Sequence, residues 1–448
     1  MPPLEASCYE APVPAAPQPV ALLEVVGLTP RLMRFAPRLR AWADEHGQRE
    51  LEPVFPAVTC SVQSTMLTGR PVGGPEGHGV VGNGWFDRRL AEIHSWKQSN
   101  RLVRGPSVWE ALKAHDPRAT TANLFWWFNM ATTADVAVTP RPQYRANGRK
   151  VPDVWTKPAG LRDELQRELG CFPLFRFWGP GAGLSSTAWI AEATKKVVAG
   201  SDPTLTLAYL PHLDYCLQRK GPEHPDVPAE VAALDGVVID LVGFLEAHGR
   251  RVLIVSGYGI QAVDTPLFPN RILRDAGLLA VREEGGREVL DLHHSRAFAV
   301  CDHQVAHVYH DPGVQLPAFP RTTEHPIDAE HAGDTVFEAD EGCWFSCDFW
   351  PEGQDHRAPD YARTVAIHAK PGYDPRELFL GVSKPALAWK LFRKKLGFAQ
   401  PLDVLPLDAT LVKGSHGRAV AGEEGPVLLG AGDGSRLPMA DVHTVLLR

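Results

Sequence analysis

Residues 53–83 carry the groups whose types and order best suit chemistry. They read PVFPAVTCSVQSTMLTG, a Gly/Pro spacer, then GHGVVGN. The pattern predicts a strand end, a small-residue turn at Thr59 with Cys60, Ser61 and Gln63 behind it, and first helical turns over Ser64–Leu67. A hydroxyl at a helix start faces unpaired backbone N–H groups and the positive end of the helix dipole, which favours an anion such as phosphate. The plainer alternative is capping, because Thr and Ser ahead of a helix often do no more than satisfy those N–H groups.

Three further segments hold candidate ligands. In YLPHLDYCLQRKGP (209–222) a strand ends and His212 and Asp214 follow; on an extended loop they share one side and both reach a metal. The alternative is a helix-capping Asp beside a surface His. In LVKGSHGR (411–418) glycines on both sides expose His416. In FAVCDHQVAHVYH (298–310) a single-strand reading puts Cys301, His303 and His307 on one face and Asp302 and His310 on the other. Solvent-facing histidines on a mixed sheet are the competing reading there, and His293, His294 and His368 read as surface groups.

The elements that position these groups alternate. VALLEVVGL (20–28), TLTLAYL (204–210) and RVLIVSGYG (251–259) read as buried strands, the last preceded by a helix over 227–249. This implies an α/β fold with a mostly parallel sheet, helices on both faces, and a ligand site at the C-terminal strand ends. Residues 1–19 read as a Pro/Ala-rich leader, 20–265 and 401–448 as the core with an aromatic-rich insertion near 100–200, and 266–400 as an inserted lobe closed by a basic helix over 387–398. The insertion holds Trp109, Phe125, Trp126, Trp127, Phe128, Trp155 and Trp178, most of them expected in the core. Its Pro-containing loop carries Arg141, Tyr144, Arg149 and Lys150, read as a solvated face or as anion-neutralising groups.

The chain has 448 residues, 44% hydrophobic and 22% charged, which is ordinary for a globular protein with a large core. A net charge of −7 argues against a nucleic-acid polymer as partner. No apolar run reaches the length of a membrane span. No signal peptide is read at the N-terminus, and seven scattered cysteines favour a reducing cytoplasm over a disulfide scaffold. Oligomeric state is not legible.

The Thr59 window resembles the nucleophile segment of the nucleotide pyrophosphatase/phosphodiesterase branch of the alkaline phosphatase superfamily. That branch shows a Thr after a hydrophobic strand, a helix ending in Thr-Gly, then HGIVGN; Thr59, Thr68–Gly69 and His78–Asn83 stand in those places. The resemblance implies an alkaline-phosphatase-like core, a Thr59 nucleophile, and a divalent cofactor, one or two ions, zinc by preference. It implies Asp214 and His416 as ligands of one ion. Where the branch has a His between them this chain has Gln218, with His212 as a substitute. Gln63, Asn83, Arg141, Arg149 and Lys150 become candidate substrate-binding residues. The second ion's Asp-Gly and Asp-His-Gly motifs are replaced by Val26-Gly27 and Gly257-Tyr258-Gly259, so that site is eroded. His303, with Asp302 and His307, is the candidate to rebuild it.

The expected function is metal-dependent hydrolysis of a phosphate-type ester (a phosphodiester or pyrophosphate, or a related phosphonate or sulfate) in a small anionic organic substrate. Two alternatives differ in class: a catalytically degenerate member that binds an anionic metabolite or protein partner, and a single-metal transferase passing phosphoryl to an alcohol.

Overall fold

The computed structural model describes residues 18–147, 149–432 and 434–448. The expected leader lies, up to residue 17, outside the described residues.

The core is a nine-stranded sheet. Its spatial order is Arg436–Pro438, Gln48–Glu52, Val427–Leu429, Arg251–Ser256, Val20–Val25, Leu205–Leu210, Thr121–Leu124, Val136–Pro140 and Val154–Lys157. The five strands from Arg251–Ser256 to Val136–Pro140 run parallel. Antiparallel pairings flank them on both sides. The apolar runs account for this placement: Val20–Val25 and Leu205–Leu210 are buried at every residue, as strands sandwiched between helices must be. Helices Leu184–Ser201 and Val227–Ala247 pack together against the sheet, while Thr59–Thr68 packs with the C-terminal helix Val442–Leu446. The helices cover both faces, as expected of this α/β class.

Residues 297–339 build a second sheet, ordered Ala297–Asp302, Val305–His310, Thr335–Ala339, Thr322–Glu324. It has its own apolar core around Phe298, Tyr309, Phe345 and Phe349. Here the single-strand reading of 298–310 is corrected. The segment is a hairpin that turns at His303 and Gln304, so Val300 pairs with His307 and Asp302 with Val305. The run Asp302-His303-Gln304 interrupts the apolar pattern, and the chain reverses there instead of continuing. His303 turns with φ +60°, a left-handed conformation that costs a side-chain-bearing residue on the order of 1–3 kcal/mol.

The basic helix spans Lys384–Lys395, started by Ser383, whose side chain accepts from Ala386 N–H, with Pro385 in its first turn.

Candidate active site

Thr59 is the first residue of the ten-residue helix Thr59–Thr68, which Val58 rather than Thr59 caps and which Gly69 ends at φ +66°. The helix therefore begins five residues before Ser64. Its placement comes from the HGVVGN loop. Val80 N–H donates to His78 Nδ1 (3.1 Å), leaving His78 Nε2 for Thr65 Oγ1 at 3.0 Å. Cys60 N–H donates to Asn83 Oδ1 (3.0 Å), an N-terminal amide satisfied from outside the helix. Asn83 in turn donates its backbone N–H and its Nδ2 to the two carboxylate oxygens of Asp302, at 2.6 and 3.0 Å.

The loop after one of the parallel strands reaches Thr59 directly. Beyond Arg251–Ser256, Tyr258 sends its hydroxyl to Thr59 Oγ1 at 2.7 Å. The Tyr258 ring stacks on His416 with centroids 3.9 Å apart; His416 lies 3.7 Å from His303, and His303 stacks on Tyr373 at 3.6 Å. Four buried rings thus form one column beside Thr59, which is only 3% exposed.

The polar groups around this column bond to one another. His416 Nδ1 lies 2.8 Å from the Ala57 carbonyl, which can only accept, so Nδ1 carries the proton and Nε2 is bare. Burial holds His416 and His303 well below the ordinary histidine range, so both rings are neutral. Nε2 of His416 faces Asp214 Oδ1 at 3.7 Å. That same oxygen accepts from Gln218 Nε2 (2.9 Å), and Gln218 Oε1 accepts from the Tyr373 hydroxyl (2.8 Å). His303 Nδ1 sits 2.7 Å from Asp302 Oδ1, while its Nε2 is buried without a hydrogen-bond partner.

Burial pushes Asp214 up to about 7 and Glu24 up to about 8. Glu24 sits on the central strand, wholly buried, accepting only from Gln63 Nε2 at 2.5 Å. A carboxyl whose folded pKa is raised favours folding fully below its ordinary pKa and loses that contribution as pH rises through the folded value. Glu24→Gln keeps the acceptor and removes the titration. We expect it to melt close to wild type at about pH 5 and to exceed wild type at about pH 8 by on the order of a few kcal/mol. Thermal melts at both values check this, and parallel curves would refute the assignment.

The other expected site residues fall in different places. His212 opens the helix His212–Lys220 instead of lying on a loop, because the chain turns helical directly after Pro211. Its Nε2 points 3.1 Å from Glu230 Oε2 on a neighbouring helix, away from His416. Asp214, two positions on, is turned the other way, since alternation by two belongs to strands and not helices. His307 is held by Val81 O (3.1 Å) and by Gly333 N–H (3.2 Å). Gln63 spends its amide on Glu24 and on the Trp127 N–H, and Asn83 spends its own on Cys60 and Asp302. Arg141, Arg149 and Lys150 lie on or beside the hairpin Gln143–Tyr144/Lys150–Val151, where Lys150 sits 5.6 Å over the Tyr144 ring. Most of the aromatic insertion is core, with Trp109, Phe125, Trp126 and Phe128 buried.

The residues present do not gather around an ion in this arrangement. Among the described residues no three His, Cys, Asp or Glu side chains are grouped to hold one. Asp214 and His416 are together, but Gln218 turns its amide nitrogen to Asp214 and gives its oxygen to Tyr373. At Gly257 a Cβ would fall 2.2 Å from Val62 Cγ1 of the Thr59 helix, so an acidic side chain has no room. Gly257→Asp is therefore expected to destabilise by about 3 kcal/mol or more through overpacking, with Val62→Ala partly relieving it. Urea unfolding with zinc stoichiometry checks this; a variant as stable as wild type that gains zinc would contradict it.

Tyr258 and Tyr373 escape a reading of the sequence. Tyr258 stands where the resembling family keeps a metal-binding His, which is a signal; Tyr373 sits in KPGYDPRE and carries none.

Comparison with known proteins agrees with this architecture. A family model described as type I phosphodiesterase/nucleotide pyrophosphatase matches residues 20–374. No curated protein matches the sequence. Among solved structures, murine ectonucleotide pyrophosphatase/phosphodiesterase 5 is similar with a TM-score of 0.56 at 13% identity, over 96% of this chain and 94% of that one. Its inactive threonine-to-alanine variant in complex with AMP gives 0.56 at 12%, over 96% and 95%. The human protein gives 0.56 at 14%, over 96% and 94%. At such identities these structures speak for the fold. With the family model spanning most of the sequence, the chain belongs to the type I phosphodiesterase/nucleotide pyrophosphatase family of the alkaline phosphatase superfamily.

Proposed function

We propose that the chain cleaves a phosphate-type ester, a phosphodiester or pyrophosphate in a small anionic organic molecule, with Thr59 as the phosphoryl acceptor. The observation that carries this is the placement of Thr59 Oγ1: first residue of a buried helix, at the C-terminal ends of the parallel strands, and held by the Tyr258 hydroxyl at 2.7 Å. In this reading Thr59 Oγ1 bonds to phosphorus as the leaving alcohol or phosphate departs with the hydroxyl's proton, and water later cleaves the Thr59 phosphoryl ester, which still carries the substrate's other substituent. The helix N-terminus stabilises the anion, and Tyr258 orients the attacking hydroxyl. That a similar solved structure is an inactive Thr-to-Ala variant holding AMP supports a threonine-centred reading.

A divalent ion, zinc by preference, is the cofactor the family implies. Asp214 and His416 are the donors that lie together and would hold it. The test is turnover of bis(p-nitrophenyl) phosphate, followed by acid quench and mass spectrometry of the Thr59 peptide. A p-nitrophenyl phosphoryl adduct on Thr59 supports the reading, and turnover without it sinks it.

One observation favours a second reading. The four-ring column and the self-bonded polar groups leave Thr59 closed off, as in a member that binds an anionic metabolite without turning it over. Absence of turnover with calorimetric binding of AMP would select it.

A further inference from the structure

We propose that the helix Lys384–Lys395 and the turn that follows it dock on an anionic lipid surface. The helix has no buried residue. Leu387, Lys390 and Lys394 are its partly covered positions, so this edge faces the body of the protein, with Lys390 Nζ on Asp403 Oδ1 at 2.5 Å. At helical spacing the opposite side presents Trp389, Phe392 and Leu396. These are 60%, 50% and 59% exposed, and Phe398 beyond them is 57% exposed. The Trp389 and Phe392 rings stack on each other, centroids 5.8 Å apart, and on no other ring among the described residues. The helix is thus inverted relative to a normal surface helix: its apolar stripe points at solvent and a polar edge holds it to the fold.

Charge selects the occupant. Lys384, Lys390, Arg393, Lys394 and Lys395 lie within 384–398 with no Asp or Glu, in a chain whose net charge is −7. The basic surface continues to the neighbouring hairpin, where Lys394 acts electrostatically on Lys150, and where Arg145, Arg149 and Tyr144 are exposed. A second copy of the chain would bring two such cationic faces together, which like-charge repulsion opposes. An aromatic and leucine stripe flanked by cations is the composition of a helix that lies in a lipid interface with its rings below the headgroups. No helix among the described residues is long and apolar enough to cross a membrane, so the contact is peripheral.

The test is co-sedimentation of the full chain with vesicles of phosphatidylcholine alone or with one-third phosphatidylglycerol, at low and high salt. We expect at least about tenfold more binding to the anionic vesicles, falling with salt. Trp389→Asp combined with Phe392→Asp should abolish binding, and Arg393→Glu with Lys395→Glu, at the exposed positions flanking the stripe, should weaken it; far-UV circular dichroism verifies that both variants are folded. Equal binding to both vesicle types, binding unchanged in the double aspartate variant, or no binding at all would overturn the proposal. So would vesicle-independent self-association lost in that same variant, which would make the face a contact between copies.

Discussion

Replacing Thr59 by alanine is expected to lower phosphodiester hydrolysis about a thousandfold or more, because in the reaction we propose it removes the atom that accepts the phosphoryl group. The structure makes the variant interpretable. Thr59 is helical, so alanine keeps the backbone and costs no propensity. What is lost is one hydrogen bond, leaving the buried Tyr258 hydroxyl unpaired at about 1–3 kcal/mol. Such a loss lowers a melting curve but does not unfold a core of this size. Thr59→Ser restores the hydroxyl and should recover part of the rate, which a purely structural role for Thr59 would not predict. Rates on bis(p-nitrophenyl) phosphate, read beside melts of all three proteins, separate the two effects. An alanine variant with the wild-type rate would remove Thr59 from the reaction.

The strands that carry the site were readable because their burial is written in composition. Leu22, Leu23, Ile254 and Val255 sit in apolar runs that only a covered parallel sheet accommodates. Asp214 and His416 were readable from their places in a resembling pattern, and the fold brings them within 3.7 Å. Expectations built on local alternation behaved differently. His212 was paired with Asp214 on strand geometry, and helix geometry sends its ring to Glu230. Strand alternation gives the 298–310 segment one set of faces, but a reversal at His303 places Asp302 beside Asn83 and His303 in the ring column. The column itself joins residues 258, 303, 373 and 416. No local pattern encodes a contact among four positions so far apart. Nor does spacing reveal that Val62 fills the room an acidic side chain at 257 would need.

Tyr373 reaches that column because of charges buried behind it, and this gives the second large expectation. Arg376→Met should destabilise the protein by about 3–5 kcal/mol. The Arg376 guanidinium is 2% exposed and forks onto Asp348, with Nη1 on Oδ2 at 2.8 Å and Nη2 on Oδ1 at 2.6 Å. Its Nε donates to Asp374 Oδ1 (2.8 Å), and Lys370 Nζ completes the group on Asp374 and Glu377 at 2.8 and 2.9 Å. Burial alone would raise the Asp374 carboxyl, but Arg376 and Lys370 outweigh it and hold Asp374 below the ordinary carboxylate range. Methionine fills similar space yet leaves Asp348 charged and buried without its fork. Asp348 then keeps only Arg271 Nη2, 3.6 Å from its Oδ2, so adding Asp348→Leu, which removes the poorly paired charge, should recover part of the loss. Urea unfolding of the two variants tests this, and amide exchange over 366–378 should rise in the single variant first. Tyr373 is covalently part of this segment, so loosening it frees the ring from His303 and the hydroxyl from Gln218. If the single variant unfolds within about 1 kcal/mol of wild type, the charge cluster is not what fixes Tyr373, and the ring column must be held by its own stacking.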